Sequence, residues 1–80
     1  MKATIKKVHV IWDDAQTQDG WDSYEGVIRN IGEPYRCETI GWLIEKTPEH
    51  LIVCHTKNKI AVCGAISIPR GMIIDIKLLK

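Results

Sequence analysis

Phenylalanine is absent from this 80-residue chain, and proline, cysteine and methionine are scarce. With no Phe, the rings are Trp12, Trp21, Trp42, Tyr24 and Tyr35, each carrying an N–H or O–H that wants a partner when buried. Three cysteines, Cys37, Cys54 and Cys63, make an odd set that argues against a disulfide framework. The chain has no C-x-x-C or H-x₃-H pair to hold zinc. Eleven basic and ten acidic residues leave a formal charge of +1, far from the balance of a protein held mainly by phosphates. No apolar run approaches the roughly 20 residues of a membrane helix, and the run after the basic start is too short and polar for a signal peptide. These absences lead us to expect a reduced, cytoplasmic protein with no membrane contact. The length bounds it to a single domain over 1–80 with a modest core.

Chemical motifs are equally thin. There is no glycine-rich phosphate loop and no G-x-S-x-G around Ser23 or Ser67. Ala15 occupies the place where a calcium loop containing Asp19 and Gly20 would need its first carboxylate. The cysteines sit in strand-like runs, where an inert thiol is expected. The sequence therefore predicts no catalytic residues, no metal and no cofactor, and a protein that is not an enzyme.

What the chain does have is strand-forming residues in short, well-punctuated runs. Thr4 to Trp12 alternates as a first strand, with Ile5, Lys7, His9 and Ile11 on one face and Lys6, Val8, Val10 and Trp12 on the other; the alternation leaves open which face is inward. Trp21 to Ile31 has a helical period through Trp21, Tyr24, Ile28 and Ile31. Asp19 or Asp22 is placed to cap it and Gly26 weakens it, so a short helix or an irregular insertion is expected there. Tyr35 to Lys46, Leu51 to Thr56, Ile60 to Ile68 and Ile73 to Leu79 read as four further strands. Gly41 suggests a bulge, bend or close approach in the second, and Cys54 and Cys63 could face each other across the third and fourth. Pro69 and Gly71 force a corner between the last two. Parallel units need helical crossovers and only one helix candidate exists, so antiparallel meander pairing is the default. The expected fold is mainly β: a small five-stranded antiparallel barrel with one short helix or irregular insertion after the first strand. The last strand is apolar on both faces, which points to edges covered by copies of the chain and hence to a homo-oligomer.

Three tryptophans could be the whole aromatic core, with Trp42 the strongest core candidate in its apolar run. Alternatively, Trp12 and Trp21 lie near strand or loop ends, where sites gather and where a ring can stack on a base. Arg70, held by the Pro69 corner, suits a phosphate. Asp13, Asp14, Asp19, Asp22 and Glu25 form an acidic stretch unrelieved before Arg29.

The segments Val10-Ile11-Trp12-Asp13-Asp14-Ala15, Gly20-Trp21, Thr39-Ile40-Gly41-Trp42-Leu43-Ile44 and Ile66-Ser67-Ile68-Pro69-Arg70-Gly71-Met72-Ile73 together resemble small proteins encoded by phages and prophages, and the chain is Sm-like in outline. The resemblance implies an accessory protein of the host-cell cytoplasm that works by binding, its targets being host enzymes, defence proteins or nucleotide signals. The expected activity is sequestration of a small nucleotide-like ligand, such as a host defence signal, or blockade of a host protein. Trp12, Asp14, Trp21 and Arg70 would line the site: rings for stacking, Arg70 for phosphate and Asp14 for a ribose hydroxyl or base edge. Two other classes stay open: a single-stranded RNA- or DNA-binding Sm-like protein, and a small hydrolase using the acidic segment.

Overall fold

β-Branched runs bounded by prolines and glycines become five strands in the computed structural model, which describes residues 5–80. The order is β1 (Lys7–Asp14), α1 (Tyr24–Ile31), β2 (Tyr35–Lys46), β3 (His50–Lys57), β4 (Val62–Pro69), a single 3₁₀ turn (Arg70–Met72) and β5 (Ile73–Leu79). The strands form one antiparallel sheet in the order β4-β3-β2-β1-β5. The fold is thus mainly β with one short helix, and no pairing between β4 and β5 closes the sheet. β2 and β5 have the expected bounds. β1 runs on through Asp13 and Asp14, which pair with Arg36 and Tyr35; the expected start at Thr4 lies outside the described residues.

The sheet cannot be flat. Its two edge strands are joined by Pro69 to Ile73, four residue steps that reach at most about 14 Å. Four strand spacings in a flat sheet put those edges about 19 Å apart, before any offset along the strands. The sheet must therefore curl, and burial agrees. Val8 and Val10 of β1, Leu51 and Val53 of β3 and Ile68 of β4 are completely buried, with Trp12, Leu43, Ile66, Met72, Ile73 and Ile76 packed around them. α1 cannot supply that cover, because its one buried residue is Gly26.

Register decides the inward face of β1, which the alternation left open. Val8 opposes Gly41 and Leu78, and Val10 opposes Thr39 and Ile76. Gly41 permits a close approach, since a Cβ there would collide with the Cys54 carbonyl and the Val53 side chain. The bulge lies further on, between Leu43 and Glu45. Gly64 takes φ 68°, where an L side chain would be strained, and β4 runs unbroken through it from Val62 to Pro69. Cys54 and Cys63 do not face each other: Cys54 opposes Ala65, and Cys63 opposes Thr56.

α1 is capped by Ser23, not by either aspartate; its hydroxyl accepts from the Gly26 N–H at 2.9 Å. Asp22 braces the same turn from outside. It accepts from the Gln18 side chain, the Ser23 N–H and the Asn30 side chain. The Gln18 bond foremost, and the Ser23 bond next, hold its carboxyl below the ordinary aspartate value. The molecule measures 58 × 21 × 21 Å with a radius of gyration of 16.4 Å, against about 12 Å for a compact domain of this length.

Candidate functional site

Cross-strand register lays the residues that alternate with Val8 and Val10 in rows. Leu79, Lys7, Trp42, Cys54 and Ala65 form one row across all five strands. The next contains Lys77, His9 and Ile40, followed by Asp75, Ile11 and Glu38, and then Asp13 and Arg36. Two contacts tie these rows: His9 Nε2 lies 2.7 Å from Glu38 Oε1, and Arg36 Nε donates to Asp13 Oδ1 at 2.6 Å. The Asp13 hydrogen bond raises the Arg36 guanidinium further above its already high value.

At the Lys7–Trp42 row, where β1 begins and β5 ends, a cleft of about 450 Å³ opens. Trp42 lies among Ile5, Leu78 and Leu79, and among the described residues the charged side chains of the lining are Lys6, Lys7 and Lys80, with no Asp or Glu. Lys57 adds a fourth ammonium, its Nζ 5.5 Å from the Trp42 ring centroid, within cation–π range. A neighbouring hollow of about 320 Å³ runs from Ile5 along Lys57, Asn58, Lys59 and Ile60 to Val62. Lysines from the start of β1, the end of β5 and the β3–β4 tip thus converge on one half-buried indole. Such a site can hold a flat, apolar ring system that carries negative charge: the ring beside Trp42, the charge among the lysine ammonium groups.

The four residues singled out from the sequence are placed differently. Trp12 packs against the core, its Nε1 donating to Thr39 Oγ1 at 3.0 Å. Asp14 ends β1, exposed, and its carboxylate accepts from the Ala15 N–H at 2.9 Å. Trp21 stands fully exposed ahead of α1. Arg70 is half-buried and holds the β2–β3 turn: its N–H donates to Glu49 O and its Nε to Thr47 O, both at 2.9 Å. A cleft of about 320 Å³ does bring Asp14 beside Gly71 and Met72 of the 3₁₀ turn, but Arg70's side chain is committed to the turn below. The expected roles of Trp12 and Trp42 are exchanged: Trp12 belongs to the core and Trp42 to a cleft.

Sequence reasoning missed Trp42, Lys6, Lys7 and Lys80 as a group. The signal was present as lysine flanking the first and last strands, but only the pairing of those strands brings the two ends together. The acidic stretch gathers no metal site: among the described residues no three histidine, cysteine or carboxylate groups are placed to share an ion. No helix among them is long and apolar enough to cross a membrane. Cys54 is buried, Cys37 half-buried and Cys63 exposed, all as free thiols. Comparison with family models, curated proteins and solved structures finds no match to this chain.

Proposed function

We propose that this chain is a non-catalytic, phage-type accessory protein that captures a small nucleotide-like anion in the Trp42 cleft and works as a homo-oligomer of small Sm-like barrels. The observation that carries the reading is the cleft itself, one indole with Lys6, Lys7, Lys57 and Lys80 around it and no Asp or Glu among the described residues of its lining. A base stacks on an aromatic face whatever its sequence identity, and ammonium groups bind phosphate as point charges. Sequestration asks for no acid, base or nucleophile beyond this. The barrel reading draws support from the enforced curl of the sheet. The oligomer reading draws support from β4 and β5, each of which has, among the described residues, a strand neighbour on one side only and exposes Val62, Ile74 or Leu78.

Isothermal titration with ATP and with a cyclic dinucleotide tests the reading. Binding is expected, and Trp42→Ala should weaken it about tenfold or more, the scale of one lost base–aromatic stack. Heat signals absent for both nucleotides at millimolar concentration would reject it. The lysines leading from the cleft to the β3–β4 tip, Lys57 and Lys59, favour one second reading, a single-stranded nucleic acid laid along the same track. That reading predicts affinity for an oligonucleotide falling steeply with salt, with a slope set by several phosphate contacts; a mononucleotide binding as well as the oligonucleotide would remove it.

A further inference from the structure

α1 is a helix without a bed. Eight residues are too few for a stable helix alone in water, where about 12–15 are marginal. Most helical stability in proteins comes from packing an apolar face. That face exists here: Tyr24, Val27, Ile28 and Ile31 fall at i, i+3, i+4 and i+7, with Trp21 just ahead of them. Yet Trp21, Tyr24 and Ile28 are at least three-quarters exposed or close to it, at 104%, 93% and 74%. The segment 13–33 that carries them holds six carboxylates and one cation, Arg29.

The Trp42 cleft is its complement in both respects. Its lining is apolar through Ile5, Leu78 and Leu79, and the charged side chains among its described residues are lysines. Within one chain the two do not meet. α1 hangs from the Asp14–Tyr35 end of the β1–β2 pair, seven residue rows, or about 23 Å of strand, from the Lys7–Trp42 row, and no α1 residue lines the cleft. We infer that α1 of one copy docks into the Trp42 cleft of another, its apolar face on Ile5, Leu78 and Leu79 and its carboxylates among Lys6, Lys7 and Lys80. The contact joins unlike surfaces, so it propagates head to tail. It also occupies the place assigned above to the nucleotide, so ligand capture and this self-contact compete.

Carbodiimide coupling of the unaltered full chain tests the contact, because it joins a carboxylate to an amine only where the two touch. An equal mixture of light and isotopically heavy protein is coupled, digested and read by mass spectrometry. The expected products link Asp19, Asp22 or Glu25 of one isotope to Lys6, Lys7 or Lys80 of the other. Coupling confined within single chains, or joining copies only at other residues, would overturn the inference. Two variants that leave every carboxylate and lysine in place, Trp21→Ala and Ile28→Ser, should each lower the light–heavy yield several-fold; undiminished yields from both would also overturn it. ATP added before coupling separates the two proposals. Interchain products in a protein that shows no heat with ATP or with the cyclic dinucleotide leave the docking standing and reject the nucleotide reading. Loss of the products in the Ile28→Ser chain alongside normal ATP binding supports both.

Discussion

The inner wall of the sheet and the α1 insertion have similar apolar content and opposite fates. Leu51, Val8 and Ile68 are fully buried because the strands carrying them are bent round one another. Tyr24, Ile28 and Trp21 are equally greasy and lie open to water, because α1 departs from the sheet and returns to the same end of it. Burial is therefore a property of the curl, and hydrophobicity alone does not predict it. The contrast also accounts for the length of the molecule, 58 Å against a 21 Å girth.

Substitution should separate the two regions most sharply at Leu51. Leu51→Ala leaves a cavity in the wall and is expected to cost about 2–5 kcal/mol of global stability, read from the midpoint of urea unfolding. The next effect is local. Ser23→Ala removes the cap of α1 and should weaken that helix by about 1 kcal/mol; hydrogen exchange should quicken at Gly26 and Val27 while the strand amides keep their protection. Acid gives a smaller and equally local signal. The Asp22 carboxyl titrates below its ordinary value in the folded chain, so the stabilisation it gives is complete above the unfolded value and fades as pH falls through the folded one. A titration followed by NMR should show the α1 amides shifting below about pH 4, before the wall residues respond. Smallest of all is Ile28→Ser, expected to change unfolding of dilute protein by less than about 0.5 kcal/mol. If Ile28→Ser were as damaging as Leu51→Ala at low concentration, α1 would have to be covered by its own chain.

The strands were legible for physical reasons that operate locally. Pro34 and Pro48 bracket β2, and Pro69 with Gly71 sets the corner before β5, so backbone restrictions alone mark those ends. The inward face of β1 was not legible, because Val8 and Val10 on one side compete with Ile5 and Ile11 on the other; only opposition to Gly41 and Ile76 settles it. α1 was visible in its period, but its cap was misplaced. Asp19 and Asp22 are good capping types, whereas the first helical turn starts one residue later, at Ser23. The candidate site was least legible. Trp42 sits in the run Ile40 to Ile44 and reads as core until Lys7 and Leu79 are known to be its neighbours on the row. Arg70 reads as a free cation at a rigid corner until the carbonyl of Thr47 is found on its Nε.

β1 pairs with β5 across nearly the whole chain, Lys7 opposite Leu79. During synthesis the first strand must wait, bare along one side, until the last one leaves the ribosome. Contacts so distant in sequence make folding slow, and an unpaired strand is open to wrong partners meanwhile. A protein fragment ending at Pro69 would carry that exposed flank permanently, together with half of the Trp42 cleft missing, and should precipitate where the full chain stays dispersed.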